Sequence, residues 1–164
     1  MKVNGKPTRT IWVAADGWAV EIIDQTRLPH AFVTVRLESL EDAETAIRDM
    51  WVRGAPLIGA TAAYGLSLAL RQDAGESRLD EAYRRLLATR PTAINLRWAL
   101  DDMMAVLKPL PAAERRAAAY ARAARICDED VAINHAIGRH GLTLLRALWE
   151  RKDRPERLNI LTHC

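Results

Sequence analysis

The residues best suited to chemistry form a turn at Arg53-Gly54-Ala55-Pro56. A proline is favoured in the first turn of a helix, because the N–H that it lacks would have no partner there. The small residues before it leave backbone N–H groups uncovered at the positive end of the helix dipole, where anions such as phosphate bind. Arg53 would add a permanently charged guanidinium group. The alternative is an ordinary core helix with an arginine at its entrance, and these local features leave both interpretations open.

A second turn, Arg90-Pro91-Thr92, repeats this pattern of an arginine directly before a proline-started helix. If both turns faced the same space, two helix starts and two guanidinium groups could bind one anion. The alternative is that Arg90 and Arg97 are ordinary surface cations on a helix.

Cys164 ends a β-like run over residues 158–164, and His163 precedes it. Neighbouring side chains on a strand point to opposite faces, so we do not expect the thiol and the imidazole to form a hydrogen bond. A thiol at the carboxyl end of a strand is well placed for chemistry, because ligands of α/β sheets gather at that edge. The alternative for a lone cysteine is a small buried hydrophobic residue.

Residues 128–140 combine acidic side chains with two histidines, which are residue types found in metal sites. His135 and His140 are five residues apart, which places them about 140° apart around a helix. We therefore predict a solvated acidic patch with structural histidines and no metal site.

Three β-prone runs lie within residues 7–37, at 10–13, 18–23 and 32–37. The first two are separated by Asp16-Gly17, which is typical of a hairpin turn. This pattern predicts a small antiparallel three-stranded β-meander.

Residues 39–150 are predicted to be mainly helical. Ser39 and Asp42 form a capping-box pattern, and helical spacing then continues through five apolar positions: Leu40, Ala43, Ile47, Met50 and Trp51. Further helices are predicted over 57–70, after a cap at Ser77, over 91–107 and over 111–150, the last with two glycines as a candidate kink. The many small residues of 57–70 predict close approach of another element. The expected fold class is α+β, a β-meander followed by a mainly helical bundle.

The composition is that of an ordinary globular domain, with 164 residues, 49% of them hydrophobic and 27% charged. The net charge of +3 is spread among interleaved acids and bases, so it does not indicate a nucleic-acid partner. The two cysteines imply no disulfide framework, and a reducing cytoplasm is the expected location. The longest uncharged stretch, 54–70, is short for a membrane span, so a buried helix is expected.

Three motifs together resemble the methylthioribose-1-phosphate isomerase family of methionine salvage. They are the Arg53 turn continued through Leu57-Ile58-Gly59, the Arg90 turn continued through Ala93-Ile94-Asn95-Leu96, and Ile160-Leu161-Thr162-His163-Cys164. A fourth element, Asp24-Gln25 followed by Leu28-Pro29, also looks like this family. The resemblance covers nearly the whole chain, and the wider superfamily includes the regulatory subunits of initiation factor 2B.

The resemblance implies an aldose–ketose isomerase that converts 5-methylthioribose 1-phosphate to 5-methylthioribulose 1-phosphate without a metal or nucleotide cofactor. It implies that Arg53, Gly54, Ala55 and Arg90 contact the phosphorylated sugar. Cys164 matches the active-site cysteine, which would stabilise the transition state or handle a proton. A homodimer, with no nucleic-acid or membrane partner, is also implied.

The family continues into a Rossmann-like domain with further catalytic residues, among them an aspartate. We therefore expect residues 1–157 to be the N-terminal domain and residues 158–164 to begin the first strand of that second domain. The 164-residue chain is expected to be inactive alone. The alternatives are a ribose-1,5-bisphosphate isomerase and a non-catalytic module like the initiation-factor subunits, which binds sugar phosphates or proteins.

Overall fold

Two small antiparallel sheets precede five helices in the computed structural model, which describes residues 2–3 and 5–162. The strands are β1 Lys2–Val3, β2 Lys6–Pro7, β3 Ile11–Val13, β4 Val20–Ile23 and β5 Thr34–Leu37. The helices are α1 Leu40–Arg48, α2 Ala55–Ala69, α3 Glu76–Thr89, α4 Ile94–Leu107 and α5 Ala112–Arg151. The predicted α+β fold class is confirmed. The chain divides into two compact units, residues 1–127 and 128–164.

The predicted β-meander is confirmed, with antiparallel strands in the order β3-β4-β5. Its hairpin turn follows from local chemistry. Gly17 has a φ of 79°, a conformation that costs glycine little. One carboxylate oxygen of Asp16 accepts hydrogen bonds from the N–H groups of Trp18 and Ala19, at 3.0 and 3.1 Å. The pair of two-residue strands β1 and β2 was not predicted, because strands so short show no alternation of polar and apolar residues.

The capping box of α1 is also as predicted. The Asp42 N–H donates to Ser39 Oγ at 3.1 Å, and the Ser39 N–H donates to a carboxylate oxygen of Asp42 at 2.9 Å. The predicted continuation of helical spacing to Met50 and Trp51 is wrong, because α1 ends at Arg48 and both residues follow it. Met50 has a φ of 59°, outside the range of a right-handed helix.

Two predicted helix starts are corrected. Helix α3 is capped by Gly75 rather than Ser77, because Asp73 Oδ1 accepts the Gly75 N–H at 2.7 Å and starts the helix earlier. Helix α4 begins at Ile94 rather than at Pro91, because the Ala93 N–H donates to the Arg90 oxygen at 3.0 Å and closes a turn first.

Helix α2 is the centre of the first unit, and it packs against α1, α3 and α4. Every residue from Leu57 to Ala69 is buried. The predicted close approach is present, since a Cβ atom on Gly59 would lie 2.9 Å from the Asn95 oxygen and one on Gly65 would lie 2.9 Å from the Ala43 Cβ. Within the described part of the chain, no helix combines the length and apolar character of a bilayer span.

The second unit contains the later part of α5 and the residues after it. Helix α5 includes both predicted kink positions, Gly138 and Gly141, without a break. After the helix, Trp149 Nε1 donates to the Pro155 oxygen at 2.9 Å. The strand predicted over 158–164 is absent from residues 158–162, where no second strand supplies hydrogen bonds, and residues 163 and 164 lie outside the described part.

Candidate functional site

The turn at Arg53-Gly54-Ala55-Pro56 begins helix α2 without a side-chain cap. Gly54 is the N-cap residue, with a φ of 92° and a ψ of 133°, a region that a side chain would make costly. The first helical hydrogen bond runs from the Ile58 N–H to the Gly54 oxygen at 3.1 Å. The N–H groups of Ala55 and Leu57 have no acceptor within the described residues, so they are available to a ligand.

The second turn opens helix α4 in the same manner. Arg90 follows α3, and Ala93 is the N-cap residue of α4, with no side chain that accepts from the first N–H groups. The Ala93 oxygen accepts hydrogen bonds from Leu96 and Arg97, at 3.0 and 3.4 Å. The N–H groups of Ile94 and Asn95 have no acceptor in the part of the chain that the structure describes.

Both turns lie at one cavity of about 530 Å³, a volume typical of sites for small molecules. None of its lining residues is acidic. They are Met50, Arg53, Gly54, Ala55, Ile58, Arg90, Thr92, Ala93, Ile94 and Asn95. The contact between Gly59 and the Asn95 backbone holds the two helix starts beside this cavity.

The two helix starts also differ from the others in charge. Helices α1, α3 and α5 each carry an acidic residue in the first turn, whereas α2 and α4 carry none. An acidic side chain in that position would offset the positive end of the helix dipole. At α2 and α4 the positive end therefore remains available to an anion.

The two arginines at this cavity have no carboxylate partner among the described residues. Arg53 is exposed and Arg90 is half-buried. Several other arginines of the first unit do have an acidic partner, as in the forked pair of Arg85 with Glu44, at 2.7 and 2.6 Å. Because a guanidinium fork matches the geometry of a phosphate, the two unpaired groups suit a phosphorylated ligand.

The structure brings four of the five residues predicted for the site to this cavity: Arg53, Gly54, Ala55 and Arg90. The fifth, Cys164, lies outside the described residues. Sequence reasoning did not assign site roles to Thr92, Ala93, Ile94 and Asn95, although they follow Arg90 in the second motif. It also missed Met50, which the helical spacing placed on α1.

A second cavity of about 470 Å³ lies between α3 and α4. Its polar groups bind one another. The Tyr83 hydroxyl donates to Asp101 Oδ1 at 2.6 Å, and Lys108 Nζ lies 3.1 Å from Asp80 Oδ1. No group of three or more His, Cys, Asp or Glu side chains able to hold a metal occurs within residues 2–3 and 5–162.

Comparison with curated proteins places the chain near one group of enzymes. It is 65% identical over 164 residues to the methylthioribose-1-phosphate isomerase of Paramagnetospirillum magneticum. The matched residues make up 100% of this chain and 45% of that relative. The chain thus spans less than half the length of this relative. It is also 55% identical over 168 residues to an uncharacterized protein in the petC 3' region of Rhodospirillum rubrum, of which it covers 91%.

Two solved structures share the fold. The 5-methylthioribose 1-phosphate isomerase of Pyrococcus horikoshii superposes with a TM-score of 0.77 at 36% identity, over 85% of this chain and 41% of that one. The delta subunit of translation initiation factor eIF-2B from A. fulgidus gives a TM-score of 0.69 at 31% identity, over 76% of this chain and 38% of that one.

The resemblance inferred from the three sequence motifs is therefore confirmed by similarity along the whole chain. The model of the Initiation factor 2 subunit family matches residues 51–164, which include both candidate turns. The chain belongs to the Initiation factor 2 subunit family.

Proposed function

We propose that the protein is an aldose–ketose isomerase that converts 5-methylthioribose 1-phosphate to 5-methylthioribulose 1-phosphate. The observation that carries the proposal is one cavity that combines two helix starts without a side-chain cap and two arginines without a carboxylate partner among the described residues. No acidic residue lines this cavity. The names of the similar proteins support the choice of substrate. Since the chain spans less than half the length of its isomerase relative, the reaction is proposed for the whole protein.

In this proposal the phosphate lies between the starts of α2 and α4. The N–H groups of Ala55 and Leu57 donate to it from one side, and those of Ile94 and Asn95 donate from the other. Arg53 and Arg90 neutralise its charge with forked hydrogen bonds. These groups bind the substrate and hold the sugar in one orientation, which lowers the entropic part of the barrier.

The phosphate on the anomeric oxygen sets the chemistry that the rest of the site must supply. The ring cannot open by loss of a hydroxyl proton, because the anomeric oxygen carries the phosphate and no proton. An acid must therefore protonate the ring oxygen as the bond between C1 and the ring oxygen breaks. Hydrogen must then pass from C2 to C1, either as a proton through an enediolate or as a hydride. We propose that Cys164 stabilises this transition state or handles the proton, beside an acid–base aspartate from the part of the protein beyond residue 164.

Further features of the proposal come from the family resemblance. Residues 158–164 would begin a second, Rossmann-like domain, and the protein would act as a homodimer in the cytoplasm. The reaction as proposed uses no metal or nucleotide. Methionine salvage, the pathway that uses this reaction, is its proposed role.

A non-catalytic sugar-phosphate-binding module is the second candidate, supported by the likeness to the eIF-2B delta subunit. The test is to incubate the protein as its gene encodes it with 5-methylthioribose 1-phosphate and to follow the C2 carbon by NMR. The proposal predicts a ketone signal that grows with time, and an Arg53→Ala/Arg90→Ala variant should form it far more slowly. Binding without any ketone would instead support the second candidate.

A further inference from the structure

The turn after β4 is built on a buried carboxylate to which the proposed function gives no role. Asp24 is only 7% exposed, and its Oδ1 accepts hydrogen bonds from the N–H and the hydroxyl of Thr26, at 2.9 and 2.6 Å. The Asp24 N–H donates to the Val33 oxygen at 2.9 Å, and the Arg27 N–H donates to the Asp24 oxygen at 3.4 Å. These bonds around one buried residue hold the turn in a single conformation.

The turn after β4 is bonded to the segment that leads into the candidate site. The Gln25 N–H donates to the Trp51 oxygen at 2.9 Å. The next N–H along that segment, of Val52, donates to the Ala46 oxygen of α1 at 3.2 Å, and Val52 is completely buried. The residue that follows is Arg53, which lines the cavity. The backbone just before Arg53 is therefore held by one bond from the turn and by one bond from α1.

The position of the Arg53 guanidinium depends on this backbone. Arg53 is exposed and has no carboxylate partner among the described residues, so no ion pair holds its side chain before a ligand binds. A guanidinium fork bonds a phosphate best in one orientation, and a backbone that is fixed before binding lowers the cost of ordering the side chain. We infer that the Gln25 N–H is a positioning group that holds the Arg53 turn ready for an anion. This inference rests on the proposed function, which places a phosphate at that turn.

The test removes the Gln25 N–H. Gln25 is the second residue of the turn that the bond from Arg27 to Asp24 closes, a position in which proline is favoured, so Gln25→Pro deletes one donor and keeps the turn. Gln25→Ala is the reference, because it removes the same side chain and keeps the N–H. Both substitutions are made in the protein as its gene encodes it, alone and combined with Arg53→Ala or Arg90→Ala. Calorimetry then measures the affinity for 5-methylthioribose 1-phosphate.

The expected result is a loss of affinity that depends on Arg53. Relative to Gln25→Ala, Gln25→Pro should weaken binding about fivefold, because a guanidinium group in a poorer position loses part of its bond to the phosphate. In the Arg53→Ala background the loss should fall below about twofold, since the group being positioned is gone, whereas in the Arg90→Ala background it should stay about fivefold. A purely structural effect would weaken binding alike in both backgrounds. Equal losses in the two backgrounds, or no loss at all, overturn the inference.

Hydrogen exchange followed by mass spectrometry measures the same effect without a ligand. Gln25→Pro should speed exchange in residues 49–55 and leave it unchanged in residues 89–95, around the second turn. Thr26→Val removes only the hydroxyl bond to Asp24. It should give the same pattern more weakly, and it takes the place of Gln25→Pro if that variant does not fold. Unchanged exchange in residues 49–55 overturns the inference.

The two readouts separate this inference from the proposed function. If the wild type binds the sugar phosphate and Gln25→Pro binds it as tightly as Gln25→Ala does, only the inference fails. If the wild type does not bind the sugar phosphate, the proposed function fails. Faster exchange confined to residues 49–55 would then still support the positioning of Arg53 by Gln25.

Discussion

Gly59 of α2 lies so close to Asn95 of α4 that a Cβ atom on the glycine would be 2.9 Å from the backbone oxygen of the asparagine. The two helices therefore touch at their backbones near their first turns. This contact fixes the spacing of the Arg53 and Arg90 turns, because each turn leads directly into one of the helices. The geometry of the candidate site thus depends on a glycine that lines no part of it.

The first prediction is that Gly59→Ala destabilises the protein. The new methyl group must displace the backbone oxygen of Asn95, which cannot move aside as a flexible side chain can. Overpacking typically costs about 1–3 kcal/mol. We expect the upper part of that range here, which exceeds the gain of about 1 kcal/mol from the higher helix propensity of alanine. The same displacement should weaken binding of 5-methylthioribose 1-phosphate. Urea unfolding followed by circular dichroism and calorimetric titration measure the two effects.

Gly138→Ala is the matched control for this prediction. Gly138 is also inside a helix, but no heavy atom lies within 4 Å of the place where its Cβ would be. Alanine there should stabilise the protein by about 0.5–1 kcal/mol, as expected for an exposed helix. If the two substitutions changed stability alike, close packing at Gly59 could not be the reason.

The second prediction concerns Arg115, whose charged side chain is only 7% exposed. Its guanidinium donates to the oxygens of Leu107, Leu110 and Ala74, at 3.1, 3.0 and 3.1 Å, and so joins the end of α4 to the loop before α3. Arg115→Met fills the same space without donors, and we expect a loss of about 3 kcal/mol in the free energy of unfolding. Arg116→Met, at the exposed neighbouring position, should change it by no more than about 0.5 kcal/mol. Similar losses for both variants would contradict the role given to Arg115.

The third prediction is a pH dependence due to Tyr120. Its hydroxyl donates to the Trp18 oxygen at 2.7 Å, and burial raises the pKa of Tyr120 above 10.0. The pKa of Tyr120 is higher in the folded than in the unfolded protein. The stability that the protonated Tyr120 hydroxyl contributes is therefore complete below pH 10 and is lost as the pH rises through the folded pKa. Tyr120→Phe should cost about 1 kcal/mol at pH 7. It should also lose less stability than the wild type between pH 9 and pH 11, and an unchanged slope would refute this account.

The fourth prediction tests the proposed role of Cys164. In the protein as its gene encodes it, Cys164→Ser should lower kcat more than tenfold, which corresponds to about 1.4 kcal/mol or more. The KM should stay nearly the same, because the phosphate contacts are kept. Cys127→Ser should leave kcat unchanged, since Cys127 is a half-buried residue packed against the core. Wild-type kcat in Cys164→Ser would remove this thiol from the chemistry.

The features that could be predicted from the sequence are those decided by neighbouring residues. The Ser39 capping box and the Asp16-Gly17 turn need only groups a few positions away, and both are present as expected. The start of α2 was predicted to within two residues, at Leu57 where the structure has Ala55. Pro56 fixes its φ in the range of a first helical turn, and Gly54 can adopt the positive φ of the N-cap residue.

The errors arose where distant residues or competing turns decide the structure. Helical spacing continues through Met50, but α1 ends before it, and nothing in the periodicity marks that end. Asp73 moves the start of α3 to Glu76, although Ser77 gave a plausible cap. The sequence alone could only suggest that the two arginine turns meet, because their meeting depends on packing between α2 and α4.

The most direct test of the central claim is whether binding depends on the phosphate and on both turns. Calorimetry would compare 5-methylthioribose 1-phosphate with 5-methylthioribose for the wild type, Arg53→Ala, Arg90→Ala and the control Arg125→Ala, which alters an exposed arginine away from the cavity. We predict that the wild type and the control bind the phosphorylated sugar at least tenfold more tightly than the free sugar, and that each of the other variants loses tenfold or more, about 1.4 kcal/mol. Equal affinity for the two sugars, or full affinity in both site variants, would contradict the assignment of this cavity as the phosphate site.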